Sequence, residues 1–510
     1  MFVVFAAVVS AAAGPAAHIE EQLRRGDAPH VRDAPRIRRG SVARLISAAD
    51  INARLQEIAA DRAKHYSCKI SIGAQTGTEA FAGASDSSTD CAPAGLVAQN
   101  GLPPARSHLD FESLSSFAAK YVWGSVTKLL TGSAILRMQE KGLIDIDKPV
   151  APTLDKALAA IGLGPFATLF GDTATEITAR QLGSMQSGVP DYDTAKPYPR
   201  PPMDPFRQQV YDDPSKEWDP VDILNVSWVS TGKLDFPPGS RTSYSSTNFV
   251  LLGLLLSELA GSPTWDTYDQ LSGLDALPPA RRALYKADVS LAVHGAPKDW
   301  TAVHGFDRTS YNGQNASAKP GHDVFDVKGV YGGWTASDVT ATAAGTARLG
   351  YDIFGNAGPR ILQPSSVRTM IPHNTRHEFP YGFATFNLTQ SWGVSSGSKK
   401  NYNEAYGHLG ATYGYQSVVA YFPAADVSIS IASNLETDDQ VQPSDTACHA
   451  YNAVLAYLRN ETEPNCEFVT AGYYGGYCDC GNNYKCSRLF KQCVKSSSGT
   501  LSKSDCEAIC

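Results

Sequence analysis

The chain has 510 residues, enough for one large domain or for two with separate cores. Its composition, 43% hydrophobic and 19% charged with 43 Gly, 31 Pro and 23 Tyr, belongs to a folded protein with polar uncharged loops and excludes a disordered chain. A formal charge of -7 offers nothing to a phosphate backbone and argues against a nucleic-acid partner. The one basic cluster, Arg24, Arg25, Arg32, Arg36, Arg38 and Arg39, reads as a solvated or processed arm.

The first residues, MFVVFAAVVSAAAGPAAH, form a short apolar run ending in small residues. They predict a signal peptide over 1–17, cleaved near Ala13 or Ala17, although no Lys or Arg precedes the run. The run is short for a bilayer span, and residues 18–44 follow as a flexible arm or propeptide. A catalytic domain is then expected over 45–460 and a cysteine-rich tail over 461–510.

Leu45, Ala48, Ile51, Leu55 and Ile58 recur on one face and predict a helix over 45–62. Cys68–Gln75 and Glu79–Ser85 read as strands around the turn Thr76-Gly77-Thr78. Ser125–Gly142 is the clearest helix, with Leu129, Ala134, Ile135 and Met138 on its apolar face and Gly142 as its stop. A second strong helix is predicted over 247–259, and a turn then a small-residue helix over 331–350. The apolar run from Phe249 to Gly261 stops early, so no membrane span is expected in the mature chain. From Tyr413 two antiparallel strands are expected, joined through residues 423–426, and a closing helix over 449–458. Strands at both ends of a helix-rich middle predict an α+β fold in which the terminal strands share one antiparallel sheet, with a helical region beside it.

Ten cysteines, eight of them crowded between Cys448 and Cys510, form a disulfide pattern of an oxidising compartment. Pairing is not readable from the sequence, and Cys68 with Cys91 is the simplest guess. Sequons at Asn225, Asn315, Asn387 and Asn460 join the leader in predicting a glycosylated protein, secreted or held in the lumen of the secretory pathway. The tail is too short and Gly-rich for its own core. Its aromatics (Phe468, Tyr473, Tyr474, Tyr477, Tyr484) fit a carbohydrate or surface partner, and equally a disulfide brace.

Ser125-Val126-Thr127-Lys128 carries the chemistry. Serine and lysine three apart on the first turn of a helix lie on one face. The hydroxyl needs a base beside it, and a buried lysine can give up its proton near neutral pH. The helix N-terminus adds free N–H groups where an oxyanion would form. A second SxxK, Ser396 to Lys399, lies in a Ser/Gly loop with no helix and reads as a decoy. His294, His304, His322, His373 and His377 lack metal-ligand spacing, and Cys478-x-Cys480 reads as disulfide-bonded, so no metal or cofactor is called for.

Gly124-SVTK-LLTGSAILRMQEKG-LIDIDKPV resembles the nucleophile helix of the class C β-lactamase-related serine hydrolases, a family of β-lactamases, D-aminopeptidases, DD-peptidases and esterases. ITARQLGSMQSGVPDY (177–192), LDFPPGSRTSYSSTNFVLLGLLLSELAG (234–261) and YGHLGATYGYQS (406–417) resemble its further segments, so the likeness runs from about Cys68 to Leu458. It implies a β-lactamase/transpeptidase-like fold. It also implies Tyr244 as the tyrosine of the Tyr-x-Asn motif, relaying the proton and helping activate the deacylating water. Ser246 stands where the family has Asn; either it contacts Lys128 or Asn248 compensates. His408-Leu409-Gly410 occupies the third motif, as His-x-Gly rather than Lys-Thr-Gly. His408 would face the cleft and bond Tyr244 or the substrate, Gly410 would let the edge strand approach the substrate, and Ser125 and Ala411 would supply the oxyanion N–H groups. Gly332-Gly333 reads as a structural turn.

These readings converge on acyl transfer from an ester or amide through a covalent Ser125 intermediate, on a small molecule or short peptide. β-Lactamase or D-peptidase activity is a second reading, against which Ser246 and His408 count. A silent binding protein using the cleft or the tail is a third.

Overall fold

The computed structural model describes residues 48–85, 119–193, 204–295, 303–309, 322–372, 381–388, 404–437, 441–466, 484–487 and 492–495. The leader, the arm, Cys91, Asn315, the Ser396–Lys399 decoy, His373, His377 and most of the tail lie outside them.

Helix α1 (Ala48–Tyr66) precedes β1 (Ile70–Gln75) and β2 (Ala80–Ala84). Helix α2 (Thr127–Glu140) and helix α3 (Thr247–Leu259) belong to the central helical region, and α4 (Ala343–Phe354) returns to the sheet. The chain then forms β3 (Phe386–Asn387), β4 (Tyr406–Thr412), β5 (Tyr415–Phe422), β6 (Val427–Ser433) and α5 (Val441–Arg459). Among the described residues these six strands make one antiparallel sheet in the order β2-β1-β6-β5-β4-β3, so the terminal strands share a sheet as expected.

Both faces of the sheet are covered, which is why β5 and β6 are buried along their whole length. Ile72 pairs with Gly83, and these two residues share a face with Ile431. On that face Gly83 lies against the Leu55 backbone of α1, and Phe422 stacks on Tyr451 of α5 at 4.0 Å. On the opposite face the small residues Gly73, Ser428 and Ser430 let α4 come close. A Cβ on Gly73 would sit 2.4 Å from the Ala343 carbonyl oxygen, and Ser430 donates to that oxygen at 2.6 Å.

Helix α2 stops where the sequence predicts. Gly142 takes a left-handed φ of +71°, and its N–H bonds the Gln139 carbonyl. Helix α5 begins earlier than the expected His449, because Pro443 falls in its first turn, where a missing N–H costs nothing.

Cys448 and Cys466 form a disulfide. With the Arg54–Glu463 ion pair and the Asn452 amide on the Pro464 carbonyl, it fastens the first residues after α5 to the main body. Cys68 is buried beside the Ser433 hydroxyl. Tyr484–Ser487 and Gln492–Lys495 form an antiparallel hairpin with Cys486 opposite Cys493. Among the described residues no helix is long and apolar enough to cross a membrane.

Candidate active site

Ser125 lies in a single 3-10 turn, Gly124–Val126, that runs straight into α2. Gly124 has φ +51°, and a Cβ there would sit 2.7 Å from the Ala411 carbonyl oxygen. Only glycine turns the chain so sharply this close to another strand. The turn is anchored from behind: buried Trp123 donates its indole N–H to the Ala341 carbonyl, and its own carbonyl accepts from Ser417. Ser125 remains half-buried between the fully buried Val126 and Lys128.

One turn on, the Lys128 Nζ lies 2.9 Å from the Ser125 Oγ and 2.9 Å from the Ala336 carbonyl oxygen. It also sits over the rings of Tyr244 (5.2 Å) and Phe249 (5.5 Å). Burial pushes the Lys128 ammonium down to about 7, against the opposing pull of Asp191 and Asp193. A large fraction of the amine is therefore neutral at physiological pH.

Tyr244 hydrogen-bonds the side chains of both Ser125 and Ser246. Its pKa departs from the ordinary phenol value. Burial raises it far above the ordinary phenol range, and Asp191 and Asp193 raise it further. The resting group is a phenol, which leaves Lys128 as the only one of the two able to take a proton near neutral pH.

Ser246 stands beside Tyr244, and its N–H bonds the Asp191 Oδ1 at 2.8 Å. Asn248 does not reach Lys128: its amide is buried, accepting from Ser187 at 2.7 Å and turned toward the Met185 sulfur.

His408 is fully buried on β4. Its Nδ1 meets the Leu409 carbonyl at 2.5 Å, and its Nε2 meets the Tyr381 hydroxyl at 2.8 Å. Burial and the neighbouring Lys128 hold the imidazole well below its usual pKa. A carbonyl can only accept, so Nδ1 carries the hydrogen and Nε2 accepts from Tyr381. The sequence reading expected Tyr244 or substrate as its partner; the Tyr244 ring centroid is 6.4 Å away.

Gly410 is needed for a close approach, but to protein rather than to substrate. A Cβ there would lie 2.0 Å from the Trp123 carbonyl oxygen. This contact locks β4 against the Ser125 turn. Pairing between antiparallel strands alternates. Leu388 donates to the Ala405 carbonyl, so the odd-numbered residues of β4 turn their peptide groups away from β5. Ala411 is one of these; it lies past the stretch that β3 covers, and its backbone abuts Gly124.

The sequence reading missed Asp191, Asp193 and Tyr381. Asp191 lies within the SGVPDY segment and Asp193 directly follows it, so that motif could have drawn attention to them; nothing in the sequence marks Tyr381. Gly332 and Gly333 are structural as read, leaving room for Trp218 and Ser337. Asp445, His449 and Cys466 lie within 4.8 Å of one another, but the sulfur is in the disulfide and Asp445 accepts from Arg62 and Tyr66.

A profile of the family described as Beta-lactamase matches residues 118–450, more than half of the chain. Solved structures share the fold at low identity. The D-amino acid amidase from Ochrobactrum anthropi SV3, complexed with D-phenylalanine, is 18% identical over 81% of this chain and 100% of its own (TM-score 0.55). The D-stereospecific amidohydrolase from a Streptomyces species is 18% identical over 78% and 98% (TM-score 0.52). The octameric penicillin-binding protein homologue from Pyrococcus abyssi is 16% identical over 82% and 79% (TM-score 0.52).

Proposed function

This chain belongs to the beta-lactamase family, and from that premise we propose that it is a serine hydrolase that cleaves esters or amides through an acyl-enzyme on Ser125. The observation that carries the reading is the Ser125 hydroxyl bracketed by Lys128 at 2.9 Å and by the Tyr244 hydroxyl. Neutral Lys128 takes the Ser125 proton as Oγ bonds the substrate carbonyl carbon. The Ser125 and Ala411 N–H groups hold the oxyanion. Tyr244 gives its proton to the leaving alcohol or amine and regains one from Lys128, so the pair ends as it began. Water then enters by the same relay and frees the acid. His408 acts as a neutral support that joins β4 to Tyr381.

The test is intact-protein mass spectrometry after exposure to a fluorophosphonate, with Ser125→Ala beside the wild type. One adduct that disappears in the variant is expected. Folded wild-type protein that reacts with neither the fluorophosphonate nor a small acylating ester overturns the reading in favour of a binding protein.

The export reading is also part of the proposal. The Cys448–Cys466 disulfide supports an oxidising compartment. Expression in a secreting eukaryotic cell is expected to release protein whose N-terminus begins just after Ala13 or Ala17. Retention of an uncleaved chain in the cytosol would refute it. The cysteine-rich tail is proposed as a separate surface element.

A further inference from the structure

Two carboxylates, Asp191 and Asp193, act electrostatically on Lys128 and Tyr244 and have no ion-pair partner among the described residues. Asp193 is half-exposed, and one of its oxygens, Oδ1, accepts from the Tyr413 hydroxyl at 3.0 Å. It has no ion-pair partner among the described residues, and its other oxygen has no hydrogen bond there. Asp191 is only 4% exposed; its Oδ1 accepts from the Ser246 and Asp193 N–H groups, while its Oδ2 has no partner among the described residues. Ser246 in turn touches Tyr244, so this buried, half-satisfied carboxylate borders the catalytic hydroxyl. Both charges are felt at Lys128 and at Tyr244. Neither neighbouring basic group forms an ion pair with them among the described residues: Lys128 Nζ lies against Ser125 and Ala336, and burial keeps His408 neutral.

The support behind Asp193 is built rather than incidental. Tyr413 is buried in the β4–β5 turn, and the Arg207 guanidinium lies 4.3 Å from its ring centroid. Arg207 is itself fixed by buried Asp307 and Glu436. A stacked, ion-paired guanidinium thus holds the tyrosine that holds Asp193.

We propose that Asp193, backed by Asp191, is a cation subsite that binds a protonated amine on the substrate, so that aminoacyl esters and amides are preferred and acyl groups bearing a carboxylate are disfavoured. The inference rests on the hydrolase reading for its substrate class, but not for the subsite itself. An ammonium placed there replaces its lost water by a charge-assisted hydrogen bond to the open Asp193 oxygen. Burial pushes the Asp191 carboxyl up to about 7, so an anionic acyl group meets the Asp193 carboxylate, a partly ionised Asp191 and one neutral imidazole, which is a repulsive selection.

Two measurements on the full chain separate the subsite from turnover. The first compares kcat/KM for alanine p-nitroanilide and its N-acetyl analogue, in wild type and in Asp193→Asn, at one pH and salt concentration. Any change the variant causes through Lys128 falls on both substrates and cancels in the ratio. The wild-type preference for the free amine is expected to shrink by about tenfold or more in the variant, and to weaken with added salt. A ratio unchanged by the substitution overturns the proposal. The second reads binding of phenethylammonium against phenethyl alcohol by calorimetry in Ser125→Ala protein, where no acylation occurs. Selective ammonium binding that is lost in the Ser125→Ala, Asp193→Asn double variant supports the subsite even if the fluorophosphonate test fails. Equal binding of the two probes sinks the subsite even if Ser125 is labelled.

Discussion

The amine of Lys128 lies 2.9 Å from the hydroxyl of Ser125, with the lysine wholly buried and the serine half-open. Keeping that amine out of water favours its neutral form, and two consequences follow. Activity is expected to rise with pH through about 7 as Lys128 loses its proton. The second consequence concerns stability. Between about 7 and the unfolded value of 10.5, the unfolded chain binds a proton that the folded chain does not, so this group's contribution to stability rises with pH across that window. Lys128→Met is therefore expected to melt higher than wild type at and below pH 7, with the gap closing toward pH 10. Scanning calorimetry of both proteins across that range checks the trend, and a gap that widens with pH refutes it.

Tyr244 carries the complementary prediction. Its phenol stays protonated throughout the working range, so it acts by passing a proton rather than by holding a charge. Tyr244→Phe is expected to lower kcat/KM by about 10²–10⁴, the usual scale of a lost proton relay. The rise near pH 7 is expected to persist, because it belongs to Lys128 together with its buried neighbour Asp191, and not to the tyrosine. A variant whose pH limb vanishes would assign that ionisation to the tyrosine instead.

Much of this site was legible because it is local. Ser125 and Lys128 are one helical turn apart, and Gly142 marks the end of the same helix. The bounds of α3 were likewise readable from its apolar run. What was not legible comes from contacts between distant segments. The acceptor for Lys128 is a carbonyl at Ala336, and a carbonyl has no sequence signature. The partner of His408 is Tyr381, one tyrosine among 23. Gly410 was singled out for the right reason, a close backbone approach, but the partner is the Trp123 carbonyl, which only the folded chain brings there.

That contact is testable. Gly410→Ala would drive a Cβ to 2.0 Å from the Trp123 oxygen and 2.2 Å from the Ser417 hydroxyl, so β4 must shift. The cost is expected at about 1–3 kcal/mol, as for other overpacked positions. Fluorophosphonate labelling is expected to slow as well, since Ala411 moves with the strand. Gly142→Ala is the control. Its left-handed φ of +71° costs about 1 kcal/mol, but nothing lies within 4 Å of the new Cβ, and labelling is expected to keep its rate. Equal labelling rates in the two variants would show that the Gly410 contact does not position the site.

Asp338 lies just past the Lys128 acceptor and is buried completely. Its Oδ2 accepts from the Gln270 amide at 2.7 Å, while its Oδ1 and the Gln270 Oε1 have no hydrogen-bond partners among the described residues. Burial pushes the carboxyl up to about 8, so the folded protein holds a proton there between about 3.8 and 8 that the unfolded chain has released. Over that window the group's contribution to stability falls as pH rises. Asp338→Asn removes the titration and keeps an acceptor for the Gln270 amide. The variant is expected to match wild type near pH 4, and to be more stable by several kcal/mol at pH 8, since each unit of a raised pKa is worth about 1.4 kcal/mol. Denaturant midpoints of the two proteins at intervals from pH 4 to 9 give the comparison. A difference that stays flat from pH 4 to 8 would mean that Asp338 is ionised in the folded protein despite its burial, and that a donor outside the Gln270 amide holds it there.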